Sequence, residues 1–234
     1  MFRRLIGLFR STKKLTSKEL LKIASQLKKE KKYEQACETL ESALNKNDGE
    51  LIFLKDRLRL PMYLQLAGRN DEGWKELNRL TLEYTDHLSQ CDITNQMRVF
   101  LQKEKKFELA FHAYTWNICK QLELYNHHLR EIEKSTDYLS KTIYSTKDKT
   151  IFGYTDKGNA ITDKSYEHFK NKVDSLTSVR SIENILGSTI KKAKLDYCSS
   201  EICNYLNRYL TENKTFQATT MRDSLTQIIL ANRS

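Results

Sequence analysis

Residues Leu27 to Ala36 read LKKEKKYEQA, and residues Leu101 to Ala110 read LQKEKKFELA. The two stretches agree at seven of ten positions, with Tyr33 answered by Phe107. They lie 74 residues apart, and half of 74 is 37, a spacing within the range of paired-helix repeats. A middle copy is therefore expected near residue 64, and LQLAGRNDEGWKELNRL begins there. The series Leu27, Leu64, Leu101 is followed nine residues on by Ala36, Gly73 and Ala110, and four residues later by Leu40, Leu77 and Tyr114.

Packing explains why these residue types recur. One helix ends near Leu27, a short polar turn follows, and a second helix starts near Tyr33 and must cross the first. Alanine or glycine lets two backbones approach at the crossing, and the large residue one turn later fills the space beside it. Upstream, Leu20, Ile23, Ala24 and Leu27 share one helix face. Thr16 and Glu19 form a capping box at its start.

Composition supports long helices. The 234 residues contain one proline and seven glycines, too few for the turns of a β-protein. No apolar run approaches the roughly 20 residues that span a bilayer. The apolar run LIGLF near the start is shorter than a secretory signal core, so a cytoplasmic location is expected. Five scattered cysteines, Cys37, Cys91, Cys119, Cys198 and Cys203, read as buried free thiols rather than a disulfide framework or a metal site. The formal charge is +10, of which residues 1–32 carry eleven basic against two acidic groups, or +9. The basic signal is N-terminal, which argues against a general nucleic-acid coating.

The pattern resembles the tetratricopeptide repeat (TPR) over about residues 17–118. Leu20-x₂-Ile23-Ala24-x₂-Leu27, then Tyr33, Ala36-x₃-Leu40 and Ala43, match its consensus. The second unit departs from it with Pro61 inside the first helix, predicting a kink or late start, and with Asn70 at an aromatic position. The third has Arg98 at a small-residue position. The resemblance implies a right-handed solenoid of three helix pairs with a concave surface that takes a peptide or helix. By register that surface holds Lys18, Leu21, Ser25 and Lys29; Lys55, Leu58, Met62 and Gln65; and Asn95, Val99, Gln102 and Lys103. Lysines at both ends suit an acidic partner. The alternative is that the C-terminal helices fill the groove.

The remaining organisation is read in three parts: a basic amphipathic arm at 1–14, TPR-like repeats at 15–118, and a helical region at 119–234. Running into the last, apolar residues from Phe111 to Ile143 keep a three–four rhythm, missing only at Thr136, on one long helix, and Tyr166 to Ala193 keep it on a partner, predicting an antiparallel hairpin. Ser199 or Ser200 is expected to cap a helix through Leu210, and Thr219 or Thr220 a last one through Leu230. The stretch 145–164 is a long loop or a small hairpin turning at Gly158. GYTDKGNA there lacks the lysine and hydroxyl of a phosphate-binding loop, with Asn159 and Ala160 in their places. The arm, with Arg3, Arg4, Arg10, Lys13 and Lys14, either caps the first repeat, lies on a membrane surface or contacts nucleic acid.

No catalytic motif is present, and Cys119 with His112, seven apart, reads as a packed thiol and imidazole. The expectation is an all-α, non-enzymatic adaptor or scaffold with no cofactor and no metal, binding a protein or peptide partner. The long hairpin offers a surface for homo-oligomer formation. The alternative is a nucleic-acid-binding helical protein using the arm and the lysine-rich turns at 28–32 and 103–106.

Overall fold

The computed structural model describes residues 15–139, 144–146, 149–154 and 160–233, with side chains for 15–133 and 166–233. The arm at 1–14 lies outside the described residues, and so do its five basic candidates. The described chain is predominantly helical, as expected, and divides after Glu83 into two compact units.

The first unit begins with α1 (Ser17–Lys29) and α2 (Tyr33–Leu44). The capping box forms: Glu19 N–H donates to Thr16 Oγ1 at 3.2 Å, and Thr16 N–H donates to Glu19 Oε2 at 2.7 Å. Next come the single turn α3 (Leu54–Arg57), then α4 (Arg59–Leu66) and α5 (Asn70–Glu83). Pro61 produces the late start. It is the third residue of α4, where a missing N–H breaks no intrahelical bond. Leu21, Ala24, Ala36, Cys37, Leu40, Ala43, Leu60, Tyr63 and Leu64 form one buried cluster. It draws on α1, α2 and α4.

The second unit opens with α6 (His87–Lys103), capped by Asp86, and α7 (Phe107–Leu139). At 33 residues α7 is about 50 Å long, and it runs unbroken through residues 118–119. Three short strands follow: β1 (Tyr144–Thr146), β2 (Lys149–Tyr154) and β3 (Ala160–Thr162), paired antiparallel in that order. The β2–β3 pair realises the expected hairpin, with an irregularity between Ile151 and Gly153. Its expected turn residue Gly158 lies outside the described residues, and β1 was not foreseen.

The predicted single partner helix is two helices, α8 (Asp163–Thr177) and α9 (Val179–Ala193). Ser178 breaks it by turning extended and accepting the Ser181 N–H on its side chain, while Asn207 donates to the freed Thr177 carbonyl. A 3₁₀ turn (Asp196–Cys198), α10 (Ser199–Glu212) and α11 (Ala218–Ala231) complete the unit. The expected serine and threonine caps are not used. The position before α11 is held instead by Tyr209, whose hydroxyl accepts the Gln217 N–H at 3.0 Å. The core gathers Phe111, Ile118, Leu122, Ile182, Leu186, Ile202, Leu206 and Leu225, among others, from α7, α9, α10 and α11.

The 37-residue echo is written into the turns. Lys31, Gly68 and Lys105 are left-handed, with φ of 61°, 81° and 60°. The N–H groups of Lys32, Arg69 and Lys106 reach back to the carbonyls of Leu27, Leu64 and Leu101 at 2.9, 2.8 and 3.0 Å. Lys31, Gly68 and Lys105 donate to Lys28, Gln65 and Gln102 at 3.1 Å each. This two-bond pattern is the Schellman ending, which satisfies two otherwise orphaned carbonyls and reverses the chain. One turn later Ala36, Gly73 and Ala110 are all buried. Three helix pairs, α1–α2, α4–α5 and α6–α7, are thus joined by the same turn at the same spacing.

Candidate functional site

In the first unit the face shared by α1 and α4 carries most of the residues singled out by register. Lys18, Lys22, Ser25 and Lys29 fall at i, i+4, i+7 and i+11, one stripe of α1. Lys18 is paired with Glu50, whereas Lys22 and Lys29 stand exposed. Leu21 and Leu58, placed on the same surface by register, are instead buried, and Met62 packs half-buried against the unit's core. Gln65 is half-buried and Lys55 exposed.

The residue that organises this face is Arg59, which the sequence reading missed. Its Nη2 donates to Ser25 Oγ at 2.6 Å, Leu21 O at 2.9 Å and Tyr63 OH at 3.2 Å. Two hydrogens shared among three acceptors tie α4 to α1. Ser25 in turn donates to Leu21 O at 3.0 Å, so its hydroxyl is committed to holding the arginine. The guanidinium lies 5.6 Å from the Tyr63 ring centroid, and Asp56 faces Nη1 at 3.5 Å. The result is a fixed guanidinium, paired with Asp56 and bonded to Ser25 of the α1 stripe that also carries exposed Lys22 and Lys29. Beside α3, Leu51 and Phe53 are 74% and 56% exposed, with Lys55 Nζ 5.4 Å from the Phe53 ring.

The second unit holds the other candidates on α6. Asn95 is exposed, Val99 and Gln102 are half-buried and Lys103 is exposed. Asn95 Oδ1 accepts from Arg98 Nε at 3.1 Å and Nη2 at 2.8 Å, and the Arg98 guanidinium lies 4.7 Å from the Tyr114 ring centroid. That contact accounts for the arginine at a small-residue position: it covers the aromatic that follows the α6–α7 crossing. Beneath, Asn117 Nδ2 donates to Cys91 O and Thr94 Oγ1, both at 2.8 Å, and Asn117 Oδ1 accepts from Gln121 Nε2 at 2.6 Å. This buried lock between α6 and α7 was also missed.

The lysine-rich turns are less free than their sequence suggests. Lys32 pairs with Glu30 at 2.6 Å and Lys106 with Glu104 at 2.9 Å, the same pair in both turns. In the middle turn Arg69 bonds Glu72 at 2.6 Å and faces Glu34 at 3.3 Å.

The five cysteines are all buried and free. Burial pushes Cys37 and Cys203 up to about 11 and Cys91 and Cys119 up to about 12, which keeps these thiols protonated and unreactive. Cys119 Sγ lies 3.5 Å from Met221 Sδ, and burial pulls His112 below its ordinary pKa. On α7, His128 stacks on Phe169 of α8 at 4.6 Å, and desolvation, then His127 and His87, lowers its pKa. Among the described residues no cluster of three or more His, Cys, Asp or Glu is arranged to hold a metal, and no helix is long and apolar enough to cross a membrane. No protein-family model, curated protein or solved structure matches the chain.

Proposed function

We propose that the chain is a non-enzymatic adaptor of the TPR kind that binds an acidic segment of a protein partner. The observation that carries this reading is the threefold recurrence of one left-handed turn at residues 31, 68 and 105, each followed by a buried small residue. In repeats of this kind the first helix of a pair supplies the binding face, which in the first unit is that of α1 and α4. On the α1–α4 face, Arg59 is already immobilised by Ser25, Leu21 and Tyr63, so a partner carboxylate meets a charge whose ordering cost is met within the fold. Lys22 and Lys29 extend that positive stripe and steer acidic partners towards it. Recognition here is by shape and charge, with no bond made or broken.

The test is selection of random dodecapeptides on the full chain, followed by calorimetry of the best binder. The reading predicts enrichment of Asp and Glu and an affinity about tenfold weaker for the Lys22→Glu/Lys29→Glu variant, whose substitutions sit at exposed positions. Binders without acidic residues, or equal affinity for the variant, would refute it.

A further inference from the structure

The second unit contains a cleft that the adaptor reading does not use. It has a volume of about 410 Å³ and lies between the α6–α7 turn and the end of α9. Lys105 and Lys106 rim it on one side and Lys192 and Lys194 on the other, with Glu108 and Leu109 in the first turn of α7. Two chain reversals bring these exposed lysines to the edges of one open depression. Lys105 and Lys194 both sit in left-handed turns, with φ of 60° and 58°, in which glycine is the usual residue. The Lys194 turn also makes the Schellman bonds, Leu195 N–H to Ile190 O at 3.0 Å and Lys194 N–H to Lys191 O at 3.1 Å.

From this placement we propose that the cleft binds a compact polyanion bearing two or more phosphate groups. Four lysines and one carboxylate, that of Glu108, line it, and Arg233 approaches Glu108 at 3.8 Å. Lys106 is shared with Glu104, and the other three lysines bring their charge to the ligand. Ammonium groups are compact point charges suited to phosphate oxygens. The positive end of the 33-residue α7 lies at the same place, since Phe107, Glu108 and Leu109 of its first turn line the depression. The opposing end of α9 presents carbonyls, but its Schellman bonds occupy those of Ile190 and Lys191. A depression of this size accommodates a small polyphosphate or a phosphorylated headgroup. This site is independent of the α1–α4 face.

The two left-handed lysines supply a clean test. In Lys105→Gly/Lys194→Gly the cleft loses two charges while the backbone gains a better-suited residue, so lost binding cannot be ascribed to unfolding. Calorimetry of the full chain with tripolyphosphate is expected to show binding that weakens by about tenfold or more in the double variant and by less than about twofold in Lys31→Gly, which makes the same exchange in the first unit. Phosphatidylcholine vesicles with and without phosphatidylinositol bisphosphate distinguish the sources. Phosphoinositide-dependent retention of wild type but not of the double variant assigns a lipid headgroup, and tripolyphosphate binding without retention assigns a soluble ligand. The site is overturned if wild type fails to bind tripolyphosphate, or if the double variant binds it equally. Citrate bound as tightly as tripolyphosphate overturns the phosphate assignment.

Discussion

Lys31 and Lys105 occupy positions where the middle turn has Gly68, and the three share one backbone conformation. A side chain in the left-handed region costs about 1–2 kcal/mol, whereas glycine costs about 0.5–1 kcal/mol in lost chain entropy. Lys31→Gly and Lys105→Gly are therefore each predicted to stabilise their unit by about 0.5–1 kcal/mol. Gly68→Ala should cost about 1 kcal/mol, and from the backbone alone, because a Cβ there meets no atom within 4 Å. Lys22→Gly, nine residues before Lys31 on the exposed face of α1, should destabilise by somewhat under 1 kcal/mol, since it lies inside a helix. The same exchange thus changes sign between helix and turn. Urea denaturation reads each unit separately, because Trp74 lies in the first and Trp116 in the second. Single-tryptophan backgrounds isolate each transition. Destabilisation by Lys31→Gly, or a neutral Gly68→Ala, would refute the turn equivalence.

Further expectations concern the interior. Asn117→Ala should cost about 1–3 kcal/mol, because it removes two buried bonds between α6 and α7, to Cys91 O and Thr94 Oγ1, and the acceptor of Gln121; urea midpoints read by Trp116 test this. Native protein should leave all five thiols unmodified by a thiol reagent until urea unfolds it, and fast native labelling of Cys91 or Cys119 would contradict their burial. His112 and His128 have folded pKa values below their ordinary 6.5, so the unfolded chain binds more protons as pH falls through that value. Stability should consequently drop from about pH 7.5 to about pH 5.5, and His112→Leu/His128→Leu should flatten the decline of the urea midpoint.

Much of the first three helix pairs was legible because the constraints are local. A capping box needs residues three apart, a proline blocks its own helix, and a crossing needs a small side chain at a fixed distance from the turn. Thr16, Pro61, Ala36, Gly73 and Ala110 declare themselves on those grounds. Arg59 did not, because with Asp56 and Tyr63 at i−3 and i+4 it reads as an ordinary solvated helix face; only the approach of α1 gives it Ser25 and Leu21. Asn117 was hidden for the same reason. The break at Ser178 escaped because apolar residues keep their three–four spacing through it, although a serine three residues before another serine was a usable cap signal. The division after Glu83 leaves no mark in a pattern whose period continues across it.

The central structural claim is that Ala36, Gly73 and Ala110 are three instances of one tight helix crossing. Equilibrium unfolding of Ala36→Leu, Gly73→Leu and Ala110→Leu tests it most directly. Each is predicted to lose about 1–3 kcal/mol or more, because all three positions are buried and a branched side chain must displace packed neighbours. Values within about 0.5 kcal/mol of wild type, as at an ordinary surface position, would contradict it.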